Sequence, residues 1–317
     1  MPNKDIIMAV NDLKKHFPAK GNRTLYAVDG VDFSIRKGET LGLVGESGCG
    51  KSTVGNLLMG LLSPTSGEIL FESIDLAKLS VRERKELCNR IQIVFQDPYS
   101  SLNPKKTVYQ ILEEPFKIHK VAKKETEDKI RVVSHLCGIE EALWRQYPHE
   151  LDGGKRQIVG IARALALNPS FVVCDEPVSA LDVSIQAKII NLLIDLQKQL
   201  DLTYLFISHD LSVVRHVSSN VAVMYLGKIV EYAPTDELFT NPKHPYTAAL
   251  LSAILDIDVN TEKEHIVLEG DVPSPIDPKP GCRFAPRCKY AKEECFHESP
   301  PKAELENGHY VYCHLYK

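Results

Sequence analysis

The sequence predicts an α/β fold: a parallel sheet covered by helices, a helical insertion, and a small cysteine-rich C-terminal extension. Three observations carry this. Short, continuously apolar, β-branched runs alternate with longer stretches of helical period. A glycine-rich loop joins one such run to a helical pattern. After about residue 256 the composition turns to Pro, Cys and charge.

The elements follow in order. "TLGLVG" (40–45) reads as a buried strand, and Lys51 to Leu62 as the helix after the glycine loop. "IQIVFQ" (91–96) is the next strand. From about 97 to 165 strand patterns disappear, and segments such as "DKIRVVSHLCGI" have helical period, which suggests an inserted helical subdomain. "FVVCDE" (171–176) and "TYLFISHD" (203–210) are further buried strands, with helices expected at Ser184–Gln199 and Leu211–Val217. "NVAVMYLGKIVEYA" (220–233) reads as a hairpin turning at Gly227. "DVPSPIDPKPG" is a stiff proline-rich connector. The expected division is a main domain over 1–255 and a cysteine-rich extension over 256–317.

Composition narrows the function classes. A length of 317 residues suggests about two domains, and 44% hydrophobic residues suffice for a core. A net charge of −4 argues against nucleic acid as a partner held by bulk charge. No apolar run approaches the roughly 18 residues a membrane span requires. The opening "MPNKDIIMAVNDLKKHFPAK" has no apolar signal core, so a cytoplasmic location is expected. Four of the eight cysteines are scattered, at Cys49, Cys88, Cys137 and Cys174. The others crowd into the last tenth of the chain.

"GESGCGKST" comprises Gly45, Glu46, Ser47, Gly48, Cys49, Gly50, Lys51, Ser52 and Thr53. It fits the phosphate-loop pattern in its required setting, after a strand and before a helix. The glycines let the backbone fold into a ring of N–H donors, and the helix N-terminus aims its positive end at the same anion. Lys51 would neutralise the β- and γ-phosphates, and Ser52 would bind Mg²⁺.

A hydrophobic strand ending in two carboxylates is the complementary feature. Asp175 is placed to hold Mg²⁺, and Glu176 to polarise an attacking water. Gln96, at another strand end, offers an amide to Mg²⁺ and water. His209, after "LFIS", is in place to contact the γ-phosphate.

Phosphate loop, Gln96, "LDGG", "CDEP", "SALD" and "ISHD", in that order, resemble the ATPase subunits of ABC transporters over about residues 5–255. The resemblance implies a P-loop NTPase core with an antiparallel β subdomain. It also implies ATP and Mg²⁺ clamped between two cassettes. Each phosphate loop would face the other cassette's signature loop, here Leu151, Asp152, Gly153, Gly154 and Lys155. Ser179, Ala180, Leu181 and Asp182 would line the dimer seam, with Ser52, Gln96 and Asp175 on Mg²⁺. An aromatic near the N-terminus would stack on adenine; by its place in "LKKHF" this is Phe17, with Tyr26 second.

The signature departs from the family's usual Leu-Ser-Gly-Gly-Gln: Asp152 stands in the serine position. Aspartate caps a helix as well as serine does. It also places a carboxylate where a partner's γ-phosphate would dock. Two unit charges about 4 Å apart at an effective dielectric of about 20 repel by about 4 kcal/mol. Protonating an aspartate at pH 7 costs about 4 kcal/mol, so the charge remains. Lys155 would offset part of it. The resulting expectation is a heterodimer whose two pockets differ.

"QDPYSSLNP" (96–104), "NPKHPYTAALLSAIL" (241–255) and "LEGDVPSPIDPKPGCRFAPRC" are similar to the oligopeptide and dipeptide importer ATPases, as the second chain of the pair. That branch implies a non-identical ATPase partner, two membrane permease subunits, and indirectly an extracellular peptide-binding protein. The chain would then sit at the cytoplasmic face of the membrane. Nickel and oligosaccharide importers are related alternatives. A soluble ATPase of DNA repair or translation fits less well: about a hundred residues separate phosphate loop and signature, with no sustained heptads, and there is one cassette.

Cys282, Cys288, Cys295 and Cys313 fall in a segment too short to bury much apolar surface, so a metal staple is physically sensible. Four thiolates suit iron–sulfur or zinc. The branch resemblance implies a [4Fe–4S] cluster; zinc, with His297 or His314, and four free thiols stay open.

Overall fold

The computed structural model describes residues 5–253, 266–268 and 270–316. The chain forms two compact units. Among the described residues, the first gathers 5–35, 40–78 and those from 207 onward; the second holds 36–39 and 79–206.

The first unit opens with two long strands that sequence reading did not place, β1 (Ile6–Ala19) and β2 (Arg23–Arg36). Along β2, Val31, Phe33 and Ile35 are buried while Ser34 and Arg36 are exposed. That period-two alternation marks a strand with one covered face. After β3 (Thr40–Val44) and α1 (Lys51–Leu58) come β4 (Ser66–Phe71) and β5 (Ile74–Asp75). The antiparallel subdomain has strand order β2-β1-β4-β5, with Met8 opposite Phe71 and Val10 opposite Ile69.

Helix α1 ends at Leu58, four residues short of the expected Leu62. Gly60 takes φ 69°, its N–H reaches the Leu57 carbonyl at 3.0 Å, and Leu61 N–H reaches the Asn56 carbonyl at 3.0 Å. This is a Schellman stop, in which a left-handed glycine satisfies the last carbonyls. Hydrophobic period alone did not register it.

The second unit runs α2 (Val81–Leu87), β6 (Ile91–Val94), α3 (Pro98–Ser101), α4 (Val108–Ile118), α5 (Lys123–Leu136), α6 (Gly153–Leu165), β7 (Phe171–Asp175), α7 (Val183–Leu200) and β8 (Thr203–Ile207). Its strands lie in the order β8-β7-β6. β6 and β7 are parallel, with Ile91 opposite Phe171 and Val94 opposite Cys174. All five residues of β8 and the first four of β7 are buried, as continuous apolar strands under helices should be. Between 97 and 165 the described residues contain helices and short 3-10 turns but no strand.

The chain then returns to the first unit with α8 (Leu211–Val217), β9 (Asn220–Tyr225), β10 (Lys228–Pro234), α9 (Thr235–Thr240) and α10 (Pro245–Ser252). After these come α11 (Glu293–His297), β11 (Lys302–Glu304) and β12 (Tyr310–Tyr312). β3 and β9 are parallel, whereas β9–β10, β10–β12 and β11–β12 are antiparallel. The sheet is therefore mixed rather than purely parallel. The hairpin at Gly227 is as expected, with φ 83° at the turn.

The cysteine-rich segment contributes strands to this unit. Tyr310 pairs with Tyr232, their rings stacked at 4.9 Å. Glu231 on β10 has no exposed surface, and it accepts hydrogen bonds from the N–H groups of Lys243 at 2.6 Å and His244 at 2.9 Å and from His309 at 2.8 Å. The proline-rich connector lies along β2, where Ile276 bridges Leu25 and the Tyr26 N–H reaches the Pro275 carbonyl at 3.0 Å.

Candidate nucleotide site

The phosphate loop lies in the first unit. Gly45, Gly48 and Gly50 all have positive φ, at 152°, 78° and 108°. A Cβ at Gly45 would fall 2.1 Å from the Met224 carbonyl oxygen, and one at Gly50 would fall 2.1 Å from that of Ala27. The loop is thus pressed between β9 and β2, and only glycine fits. Gly50 precedes α1 and offers no side-chain cap, so the helix's first N–H groups stay available to an anion. Ser47, Gly48 and Ser52 are exposed, and Thr53 is half-buried.

Lys51 is 5% exposed. Its ammonium donates to the carbonyls of Gly45 at 2.8 Å and Glu46 at 3.1 Å, and lies 3.9 Å from the Cys49 sulfur. Neutral acceptors hold the charge over the loop without cancelling it. Burial raises the Cys49 thiol above the ordinary range, and the residue acts as a small filler. This cradle fits the phosphates of a nucleotide.

His209 is exposed in the same unit, beyond β8. Asp210, next to it, caps α8 through the N–H groups of Ser212 at 2.9 Å and Val213 at 3.3 Å. Phe17 is half-buried on β1 with the Lys15 ammonium 4.9 Å from its ring centre. Tyr26 instead packs its ring 4.2 Å from that of His16.

The second unit carries the acid pair. β7 ends at Asp175, and Glu176 follows in a left-handed conformation, φ 46°. A non-glycine residue held there is strained, which is common where a side chain is aimed for function. The Gln96 amide donates to the Glu176 carboxylate at 3.1 Å. Two residues separated by 80 positions, chosen from their strand ends, are thereby brought together.

The signature and the "SALD" stretch also meet in this unit. Asp152 caps α6, accepting the Lys155 N–H at 2.8 Å. That bond comes first among the causes holding its carboxyl below the usual range. Gly153 faces Leu181, and a Cβ at Gly154 would fall 2.7 Å from an Ile185 methyl. Leu151 is buried and Lys155 exposed. Ser179 donates its hydroxyl to the Glu176 carbonyl at 3.2 Å, Ala180 is exposed, and Asp182 caps α7 through the Ile185 N–H at 3.0 Å.

Cys282, Cys288, Cys295 and Cys313 line one cavity of about 20 Å³, with His244, Phe284 and His314. All four are free thiols. Burial pushes Cys282 up to about 11 and raises Cys288 and Cys313. His314 donates Nε2–H to the Glu298 carbonyl at 3.0 Å, leaving Nδ1 buried and without a hydrogen-bond partner among the described residues. Among the described residues no three His, Cys, Asp or Glu side chains stand ready to hold a metal ion. The thiols converge, but they do not form a coordination set as they lie.

The ABC transporter family pattern matches residues 28–179, and that of the oligopeptide/dipeptide transporter C-terminal region matches 230–295. The oligopeptide transport ATP-binding protein AppF of Bacillus subtilis is 49% identical over 324 residues, covering 99% of this chain and 98% of that protein. The dipeptide transport ATP-binding protein DppF of Escherichia coli is 47% identical over 308 residues, covering 95% and 92%. Among solved structures, cbiO1 of Clostridium perfringens, part of the transporter complex cbiONQ, aligns with TM-score 0.68 and 31% identity over 75% of this chain and 92% of its own. The ATP-binding cassette MJ0796, solved as a dimer with ADP and Pi, aligns with TM-score 0.65 and 29% identity over 72% and 98%.

Proposed function

The chain belongs to the ATP-binding subunits of the oligopeptide/dipeptide ABC transporters, and from that premise we propose that it hydrolyses ATP to drive peptide uptake through a membrane permease. The observation that carries this is the uncapped start of α1, with the Lys51 ammonium held over it by the Gly45 and Glu46 carbonyls. The loop N–H groups and Lys51 bind the phosphates. Ser52, Gln96 and Asp175 would hold Mg²⁺, which when bound offsets phosphate charge. Glu176 orients water, with Gln96 fixing its carboxylate; His209 contacts the γ-phosphate, and Phe17 stacks on adenine.

The partner in this reading is a second, non-identical ATPase chain, on two permease subunits fed by an extracellular peptide-binding protein. Leu151–Lys155 faces the partner's nucleotide, and Ser179–Asp182 lines the seam. Asp152 weakens the pocket it completes, so the two pockets turn over unequally. Among the described residues no helix is long and apolar enough to cross a membrane. Attachment at the cytoplasmic face would come through the permease.

The tail's finer reading is a [4Fe–4S] cluster on Cys282, Cys288, Cys295 and Cys313, with zinc as the alternative. Support lies in the four thiols sharing one cavity and in the unpartnered Nδ1 of His314 beside them. Iron and sulfide analysis of anaerobically purified protein, with absorbance near 400 nm, decides between cluster, zinc and free thiols.

MgATP binding to the wild type and to Lys51→Ala tests the main reading. The wild type is expected to bind and the variant to lose at least tenfold in affinity. Equal binding by the two would end it.

A further inference from the structure

The turn between Cys282 and Cys288 reaches the phosphate loop, a contact that no local motif announces. Arg287 donates to both carboxylate oxygens of Glu46, at 3.1 and 3.0 Å, and lies 3.4 Å from the Tyr225 hydroxyl. The guanidinium side chain is 8% exposed and the Glu46 side chain 26%. The Glu46 backbone N–H is separately held by the Tyr246 hydroxyl at 2.9 Å. Both ends of this loop residue are therefore fixed from outside the loop.

The turn that carries Arg287 is itself anchored. Phe284 is 1% exposed and packs edge-on to Tyr225 at 5.3 Å and against Tyr246 at 5.5 Å. Arg283 donates to the Leu226 carbonyl and the Asp29 carboxylate. Arg287 Nε, by contrast, is buried with no hydrogen-bond partner among the described residues. Leaving such a donor unmade costs free energy. The arginine is therefore held where packing alone would not favour it, and its polar contacts are to Glu46 and Tyr225.

Glu46 follows the first glycine of a loop shaped to bind phosphate. An unrestrained carboxylate there would repel the anion that the loop's N–H groups attract. We infer that Arg287 is a positioning residue for nucleotide binding: it pins the Glu46 carboxylate and neutralises it, so that the loop presents net positive potential to phosphate. This rests on the reading that the loop binds a nucleoside triphosphate.

The test compares dissociation constants of the full chain for MgATP and adenosine. Arg287→Ala should weaken MgATP about tenfold and leave adenosine within about twofold. Glu46→Gln combined with Arg287→Ala should return MgATP to within about twofold of wild type, and Arg287→Lys should fall between. A purely structural role for Arg287 would not be rescued by neutralising Glu46. Unchanged MgATP affinity in Arg287→Ala, or no recovery in the double variant, overturns the inference while leaving the nucleotide reading intact. If wild type and Lys51→Ala bind MgATP alike, the nucleotide reading falls and takes this inference with it.

Discussion

The Asp152 carboxylate accepts the Lys155 N–H at 2.8 Å and lies 3.3 Å from the Lys155 ammonium. One residue thus caps α6 and keeps a local counter-ion. Both side chains are more than half exposed, at 59% and 52%. Exposed ion pairs contribute about 0–1 kcal/mol, well below the repulsion of about 4 kcal/mol between close unit charges.

Lys155 therefore offsets only part of the charge that Asp152 would present to a phosphate. In the assembled transporter, Asp152→Ser should raise turnover at the pocket this signature completes by at least tenfold. The other pocket should not change. Serine caps as well as aspartate, so the thermal midpoint should stay nearly constant. Pocket-resolved ATPase rates check this, and an unchanged rate would defeat the repulsion argument.

Glu176 is held by Gln96 at 3.1 Å, so its amide analogue should keep the fold and the nucleotide. Glu176→Gln is expected to bind MgATP with near wild-type affinity and to lose about 10²–10⁴ in turnover. Single-turnover hydrolysis with a parallel binding titration separates the two quantities. Normal turnover would remove Glu176 from its role.

His309 and Glu231 form a buried pair, 2% and 0% exposed, that ties the tail to β10. His309→Ala removes the side-chain hydrogen bond to a fully buried carboxyl and leaves that acceptor short of a partner, a loss on the order of 1–3 kcal/mol. Urea denaturation should show it.

Burial holds the His244 imidazole down at about 4, against an ordinary value near 6.5. The folded state thus keeps this ring neutral while the unfolded chain protonates it. Its contribution is whole above about pH 6.5 and is lost as pH falls toward 4, since the unfolded state binds more protons in that window. His244 Nδ1 also accepts the Tyr246 N–H at 3.1 Å. His244→Asn can keep that cap without the titration. Melting temperatures between pH 7 and 4 should fall more steeply for the wild type than for this variant.

Sequence alone determined the chemistry-bearing pieces. The phosphate loop, the acid pair and the signature are each set by neighbours a few residues away, because turn geometry and strand or helix ends are local properties. The hairpin at Gly227 and the strand-free stretch after Gln96 were legible for the same reason. The long strands β1 and β2 were missed, although Val31, Phe33 and Ile35 alternate with Asp32, Ser34 and Arg36 as a strand with one covered face should. Tertiary structure alone decided which distant groups meet. Arg287 and Glu46 are 241 residues apart, and His309 and Glu231 are 78 apart. No local spacing encodes such pairs; they exist because β12 pairs with β10 and Phe284 packs against Tyr225 and Tyr246, and these contacts carry His309 and Arg287 to their partners.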